Sequence, residues 1–392
     1  MKTWKYALGA LGTALLVAGC GGGGGETASQ TGVTSVKVYG DSLMDSGVFG
    51  KKFTIQSDAG TSPFLVFPER VAAAFGITNL CPFFKFTGTT FAPTAGCTNF
   101  SVAGGRVNNL TNSTPAFRSN AIPFSITFQL AAGASSLAAT DAVIVDGGSN
   151  DLADIAGAFG GATTPAGVGA YLDTLSTLLS TTTVGTIVGA APTATSLANA
   201  GGAYAQALAK SLAGSVKTNV LAKGVSKALV VNSSDITLTP RFQAVLGGIA
   251  AGPGGAAQAA QFQAVVQAWT KAYNDALVQE FAGTSAQIFD FYAEGAKVFA
   301  NPAQFGLTNI KTPACPVVVG GIDTTTGQAS LNEAPTVAVC RPSYMSTNLP
   351  AGETSPDWWK SYAFSDNFHP TPALHQLIAQ AISVQLARAG WL

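Results

Sequence analysis

Ser35-Val36-Lys37-Val38-Tyr39-Gly40-Asp41-Ser42-Leu43-Met44-Asp45-Ser46-Gly47 is a short β-type run that breaks at a glycine and carries a serine into a turn. A second run, Asp141-Ala142-Val143-Ile144-Val145-Asp146, is apolar throughout and stops at Gly147-Gly148. Continuous apolar runs of this length fit strands buried on both faces. Similar runs at 228–232 and 287–291 give a third and a fourth strand. Between them the pattern predicts helices at 67–75, 203–222 and 262–281, with a last helix over 370–389. Strands alternating with helices imply an α/β fold, a parallel central sheet covered on both faces. In such sheets ligands bind at the C-terminal edge of the strands, so chemistry is expected just after each strand.

The chain has 392 residues, enough for one α/β domain with insertions or for two or three domains. Two stretches read as insertions: about 156–200, rich in Gly, Ala and Thr with a helix near 171–179, and about 301–360, a long capping loop. The Gly- and Ala-rich patches near 156–170 and 247–260 read as surface loops, and 78–98 as a loop. Hydrophobic residues make up 47 % of the chain, which supports a large core. Charged residues make up 10 %, against roughly 25 % in an average soluble protein. With no net charge and no basic cluster, nucleic acid is not an expected partner.

Lys2 and Lys5 precede an uncharged run over 7–18. The run is shorter than the roughly 20 residues a spanning helix needs, and it suits a signal peptide, expected at 1–19. It ends in Val17-Ala18-Gly19-Cys20, which resembles a bacterial lipobox, with Cys20 as the lipidated residue. A plain secretory signal with an incidental cysteine is the alternative. Gly21 to Gly25 follow at once and read as a flexible tether over 20–33. The expectation is an exported lipoprotein, held by its lipid at the outer membrane or cell surface, with 34–392 as the folded domain.

Apart from Cys20 there are four cysteines, Cys81, Cys97, Cys315 and Cys340, which suggest two disulfides in an exported chain. Three pairings are open; proximity in sequence favours Cys81–Cys97 and Cys315–Cys340. A zinc site is the weaker reading, since there is no C-x-x-C and the two histidines lie elsewhere.

Four segments carry candidate chemistry. Ser42 follows the first strand, where a serine can expose its hydroxyl beside a backbone N–H, although a serine there is also a common helix cap. Asn99-Phe100-Ser101-Val102-Ala103-Gly104-Gly105 offers glycines that let a backbone N–H approach a substrate, or simply a turn. Gly148-Ser149-Asn150-Asp151 sets an asparagine after the second strand, as a side-chain donor or a helix cap. Asp366-Asn367-Phe368-His369-Pro370-Thr371 puts an Asp three residues before a His, spaced to accept its Nδ1–H and leave Nε2 as a base. The other histidine, His375, falls inside the last helix and reads as a packing or surface residue.

These segments, in this order, resemble the four sequence blocks of the GDSL/SGNH hydrolases. Asp235-Ile236-Thr237-Leu238-Thr239-Pro240 and 301–309 look like the branch of plant GDSL lipases and bacterial autotransporter esterases. The resemblance covers the chain from about Val36 onward. It implies a three-layer α/β/α, flavodoxin-like sandwich and a serine ester hydrolase. Ser42, His369 and Asp366 would form the triad, and the Ser42 N–H, Gly104 N–H and Asn150 side chain the oxyanion hole. Gly105 is an alternative to Gly104. Ala103 stands where that branch often has Gly, and Ser365 where Trp often precedes the Asp. No metal or cofactor is implied. Acyl transfer to an alcohol, polysaccharide O-deacetylation and non-catalytic surface binding are the competing expectations. Trp358, Trp359 and Tyr362, just before the base, suit sugar stacking, acyl packing or core.

Overall fold

A computed structural model describes residues 32–58, 64–315, 322–323, 328–329 and 340–392. Cys20, the signal-peptide reading and nearly all of the tether lie outside the described residues. The central sheet contains β1 (Ser35–Tyr39), β4 (Asp141–Val145), β5 (Lys227–Val231) and β6 (Gln287–Phe289), all parallel and in that spatial order. A two-stranded hairpin, β2 (Phe84–Phe86) with β3 (Phe91–Pro93), stands outside it. On the free side of β1, Asn99 makes a parallel bridge to Val38, and the Phe100 N–H donates to the Val38 carbonyl. The chain therefore leaves β1 for one side of the sheet and returns on the other as β4. That reversal opens a crevice at the C-terminal ends of β1 and β4.

Period-two alternation sorts the strand residues into two faces. Val36, Val38, Ala142, Ile144, Leu229, Val231 and Phe289 pack under α1 (Phe67–Ala74), α9 (Phe291–Ala300) and the last helix, α11 (Pro372–Arg388). Tyr39, Val143, Val145, Ala228 and Val230 pack under α2 (Ile126–Gly133), α3 (Ser149–Gly160), α6 (Ala194–Asn219) and α8 (Gly255–Phe281). The architecture is the expected α/β/α sandwich.

The Gly- and Ala-rich patches are not loops. Residues 156–170 run through α3 into α4 (Pro165–Ser176), with α5 (Thr181–Val188) beyond. Residues 247–260 fall in α7 (Pro240–Ala251) and α8. Alanine is the strongest helix former, and packing overrides the scattered glycines. Phe159, Tyr171 and Trp269 form one aromatic cluster that ties α3, α4 and α8 together. The stretch read as a loop at 78–98 holds the β2–β3 hairpin. In the 301–360 stretch lies α10 (Pro342–Thr347), and its two tryptophans are buried with Cys315 and Cys340 in a separate small core.

Candidate active site

Gly40 ends β1, and a single tight turn follows, closed by Met44 and Asp45 N–H groups on the Asp41 carbonyl. Asp41, not Ser42, caps this turn: its Oδ1 accepts the Leu43 N–H at 2.9 Å. The Ser42 hydroxyl is thereby left for another partner, the His369 Nε2 at 2.8 Å. On the opposite edge of the imidazole, Nδ1 lies 2.7 Å from Asp366 Oδ2. Asp366 Oδ1 accepts the N–H groups of Phe368 and His369, each at 2.7 Å, which closes the loop around its own carboxylate. Burial alone would raise the Asp366 carboxyl. The neighbouring His369 and these hydrogen bonds outweigh it and hold the group below its ordinary range.

The histidine loop is fixed from several directions. The Ser365 N–H and hydroxyl both donate to the His369 carbonyl, at 2.8 and 3.0 Å. Thr54 Oγ1 donates to the Pro370 carbonyl at 2.9 Å, and the Phe53 ring lies 5.0 Å from the imidazole. The structure joins Cys315 to Cys340, and the Cys315 N–H donates to the Ser365 carbonyl at 2.7 Å. It also joins Cys81 to Cys97. This bridge sits nearer the sheet than a loop brace would, because the Cys81 carbonyl accepts the Asn99 N–H at the sheet edge.

Residues 103–105 lie against the Ser42 turn, where a Cβ on Gly105 would fall 3.2 Å from Asp41 Cα. The Gly105 N–H is spent on the Val102 carbonyl at 2.9 Å, whereas the Gly104 N–H has no protein acceptor among the described residues. Of the two glycines, Gly104 is therefore the one with a donor to offer. Gly105 serves by its lack of a side chain, since a Cβ there would come within 2.7 Å of the Gly40 carbonyl oxygen. The Ser42 N–H is likewise without a protein acceptor among the described residues.

Asn150 sits in the first turn of α3, which Gly148 enters with φ +97°, and does not cap that helix. Its Nδ2 donates across the strand ends to Asp41 Oδ2 at 3.2 Å and to the Gly105 carbonyl at 3.0 Å. Both amide hydrogens are thus engaged in the resting site, the one on Asp41 by the longer contact.

Residues without an assigned role in the sequence reading build the frame. Asp45 Oδ1 accepts the Gly47 and Val48 N–H groups, and its Oδ2 accepts the Ala103 N–H at 2.9 Å, joining the Ser42 turn to the glycine loop. Asp151 accepts the N–H groups of Val107 and Asn108. Arg106 donates to the Gly104 carbonyl at 2.7 Å and pairs with Asp154. Burial pushes the carboxyls of Asp45 and Asp151 up to about 6 against these N–H donors. The available signal was density: Asp141, Asp146, Asp151 and Asp154 crowd one stretch of a chain with 20 acidic residues in all.

His375 is fully buried, and its Nδ1 accepts the Phe67 N–H at 3.2 Å. Among the described residues, no group of three or more His, Cys, Asp or Glu is arranged to hold a metal ion. No helix of the described residues is long and apolar enough to cross a membrane.

A family model described as GDSL-like Lipase/Acylhydrolase matches residues 38–382, nearly the whole described domain. No curated protein matches the chain.

Proposed function

The chain belongs to the GDSL-like lipase/acylhydrolase family, and on that premise we propose that it cleaves carboxylic esters with Ser42 as nucleophile, His369 as base and Asp366 as the group that orients the base. The observation that carries the proposal is the 2.8 Å contact between Ser42 Oγ and His369 Nε2. As Ser42 attacks the ester carbonyl, its proton passes to Nε2. Asp366 keeps the other ring nitrogen protonated and stabilises the imidazolium. The imidazolium then protonates the departing alcohol. Water, deprotonated by the same histidine, attacks the acyl-serine ester and releases the acid.

The negative oxygen of the tetrahedral intermediate is met by the N–H groups of Ser42 and Gly104, both without protein acceptors among the described residues, and by Asn150. For Asn150 to donate, one Nδ2 bond must be exchanged, and the 3.2 Å contact with Asp41 is the weaker of the two. A donor of this kind is worth roughly 3 kcal/mol of transition-state stabilisation. All of these steps use side chains and backbone of the chain itself. Our proposal for location, a lipid anchor on Cys20 at a membrane surface, rests on Val17-Ala18-Gly19-Cys20 alone.

Ser42→Ala tests the mechanism. Hydrolysis of a p-nitrophenyl ester should vanish while the circular dichroism spectrum and melting temperature stay those of the wild type. A folded variant retaining activity within tenfold of wild type refutes it.

A further inference from the structure

We propose that the elongated cavity between α9 and α11 binds the long apolar chain of the ester substrate, so that its walls set chain-length preference. This rests on the ester-hydrolase reading above. The cavity has a volume of about 540 Å³. Its lining reaches chain neighbours of the reacting groups: Leu43, next to Ser42, Phe368 and Pro370, on either side of His369, and Ser149, next to Asn150. From there its wall follows one face of α11 through Leu374, Leu377, Ala381 and Val384 to Arg388. Fourteen residues of helix advance roughly 21 Å, a length suited to an extended hydrocarbon chain.

The chemistry of the wall selects the occupant. Its aromatic lining comes from Phe289, Phe291, Phe299, Phe305, Phe364 and Phe368. Polar side chains are spread along it, Ser149, Ser234, Asp235 and Thr239 on one part and Gln380 and Gln385 on α11. Lys297 and Glu294 pair with each other at 2.6 Å, and Arg388 closes the last turn of α11. A sugar polymer would ask for donors, acceptors and open aromatic faces along the groove. Trp358 and Trp359 do not supply them, being buried in the separate core around Cys315 and Cys340. A peptide strand would have to displace Gln385, whose Nε2 donates to the Ile288 carbonyl of the edge strand at 2.9 Å.

Ala381 and Leu377 are half-buried wall residues one helical turn apart, outside the catalytic machinery. Steady-state kinetics on p-nitrophenyl acetate, butyrate, octanoate and dodecanoate, with dodecyl acetate as the matching alcohol-side ester, read the preference. In the wild type kcat/KM should climb from acetate to octanoate, by up to about fourfold per methylene. Ala381→Trp should lower kcat/KM at least tenfold for octanoate and dodecanoate, leave acetate within twofold, and lose dodecanoate binding in calorimetry. Leu377→Ala should shift the optimum toward longer chains. A fall confined to p-nitrophenyl dodecanoate assigns the cavity to the acyl side, and one confined to dodecyl acetate to the alcohol side. The inference is overturned if Ala381→Trp lowers acetate and octanoate equally, changes neither, or binds dodecanoate like the wild type. A wild type that binds dodecanoate but turns over no ester removes the hydrolase reading and spares the cavity.

Discussion

Arg106 holds Asp154 in a two-point grip, Nε to Oδ2 at 2.6 Å and Nη2 to Oδ1 at 3.1 Å, while its Nη1 donates to the Gly104 carbonyl. Both side chains are nearly excluded from solvent. The pair thus fastens the glycine loop to α3, the helix that carries Asn150. The geometry joins two elements that must stay in register if Gly104 and Asn150 are to meet the same oxygen.

Arg106→Lys keeps the charge but cannot reproduce the planar grip. We expect kcat to fall about tenfold or more with KM little changed, because the loss falls on transition-state donors. Arg106→Ala removes the buried two-point ion pair with Asp154, which should cost about 3–5 kcal/mol in urea unfolding. Equal losses in kcat and 1/KM for the lysine variant would assign Arg106 to substrate binding instead.

The two histidines should part cleanly. His369→Ala should lose activity by orders of magnitude, because an unassisted serine hydroxyl is a weak nucleophile. His375→Gln should keep most of it. Burial lowers the His375 pKa to about 3, so the folded protein keeps this ring neutral while the unfolded chain protonates it below about 6.5. Between those values the unfolded state binds the extra proton, and stability falls as pH falls, by up to about 1.4 kcal/mol per pH unit. Asp45 and Asp151 act in the opposite sense: raised to about 6, they add stability at low pH that is lost as pH rises through 6. They are common to both proteins, so the difference between wild type and His375→Gln isolates the histidine. Urea midpoints from pH 4 to 7 should show a shallower acid-side loss in the variant; parallel curves would show that His375 does not titrate this way.

The strands and the four site segments were legible because each rule is local: an apolar run, a glycine that ends it, a functional residue in the next turn. Spacing pointed to the Asp366–His369 pair and the family resemblance to Ser42; the structure puts Asp366 Oδ2 2.7 Å and Ser42 Oγ 2.8 Å from the two ring nitrogens of His369. What escaped was non-local. The glycine- and alanine-rich stretch at 156–170 looks like a loop until Tyr171 and Trp269 are seen packed beside Phe159. Asp45 and Asp151 look like ordinary turn and helix-start acids until their oxygens are found on the N–H groups of residues 103, 107 and 108. The choice between Gly104 and Gly105 turned on which N–H was already spent.

Reduction should loosen the site before it melts the sheet. Peptide mapping without reductant should recover Cys81 joined to Cys97 and Cys315 joined to Cys340. Each closed loop is worth about 3 kcal/mol in the chain-entropy account. Mild dithiothreitol should therefore lower both activity and melting temperature while the far-ultraviolet spectrum persists. The Cys315→Ser/Cys340→Ser pair should affect kcat the more, since Cys315 backbone supports Ser365 beside Asp366. Full activity in the reduced protein would separate the bridges from the site.

Cys20→Ser should release the protein from membranes or block its maturation. Mass spectrometry of the exported wild type should find an acylated cysteine at the new N-terminus. An unmodified N-terminus at another residue would end the lipoprotein proposal.

The central claim is that Ser42 is a nucleophile activated by His369. Its most direct test is intact-mass and peptide analysis after exposure to a fluorophosphonate. One adduct should form on the wild type and map to the peptide containing Ser42. It should be absent from Ser42→Ala and form far more slowly on His369→Ala. An adduct on a different residue, or equal labelling of the wild type and His369→Ala, would contradict the account.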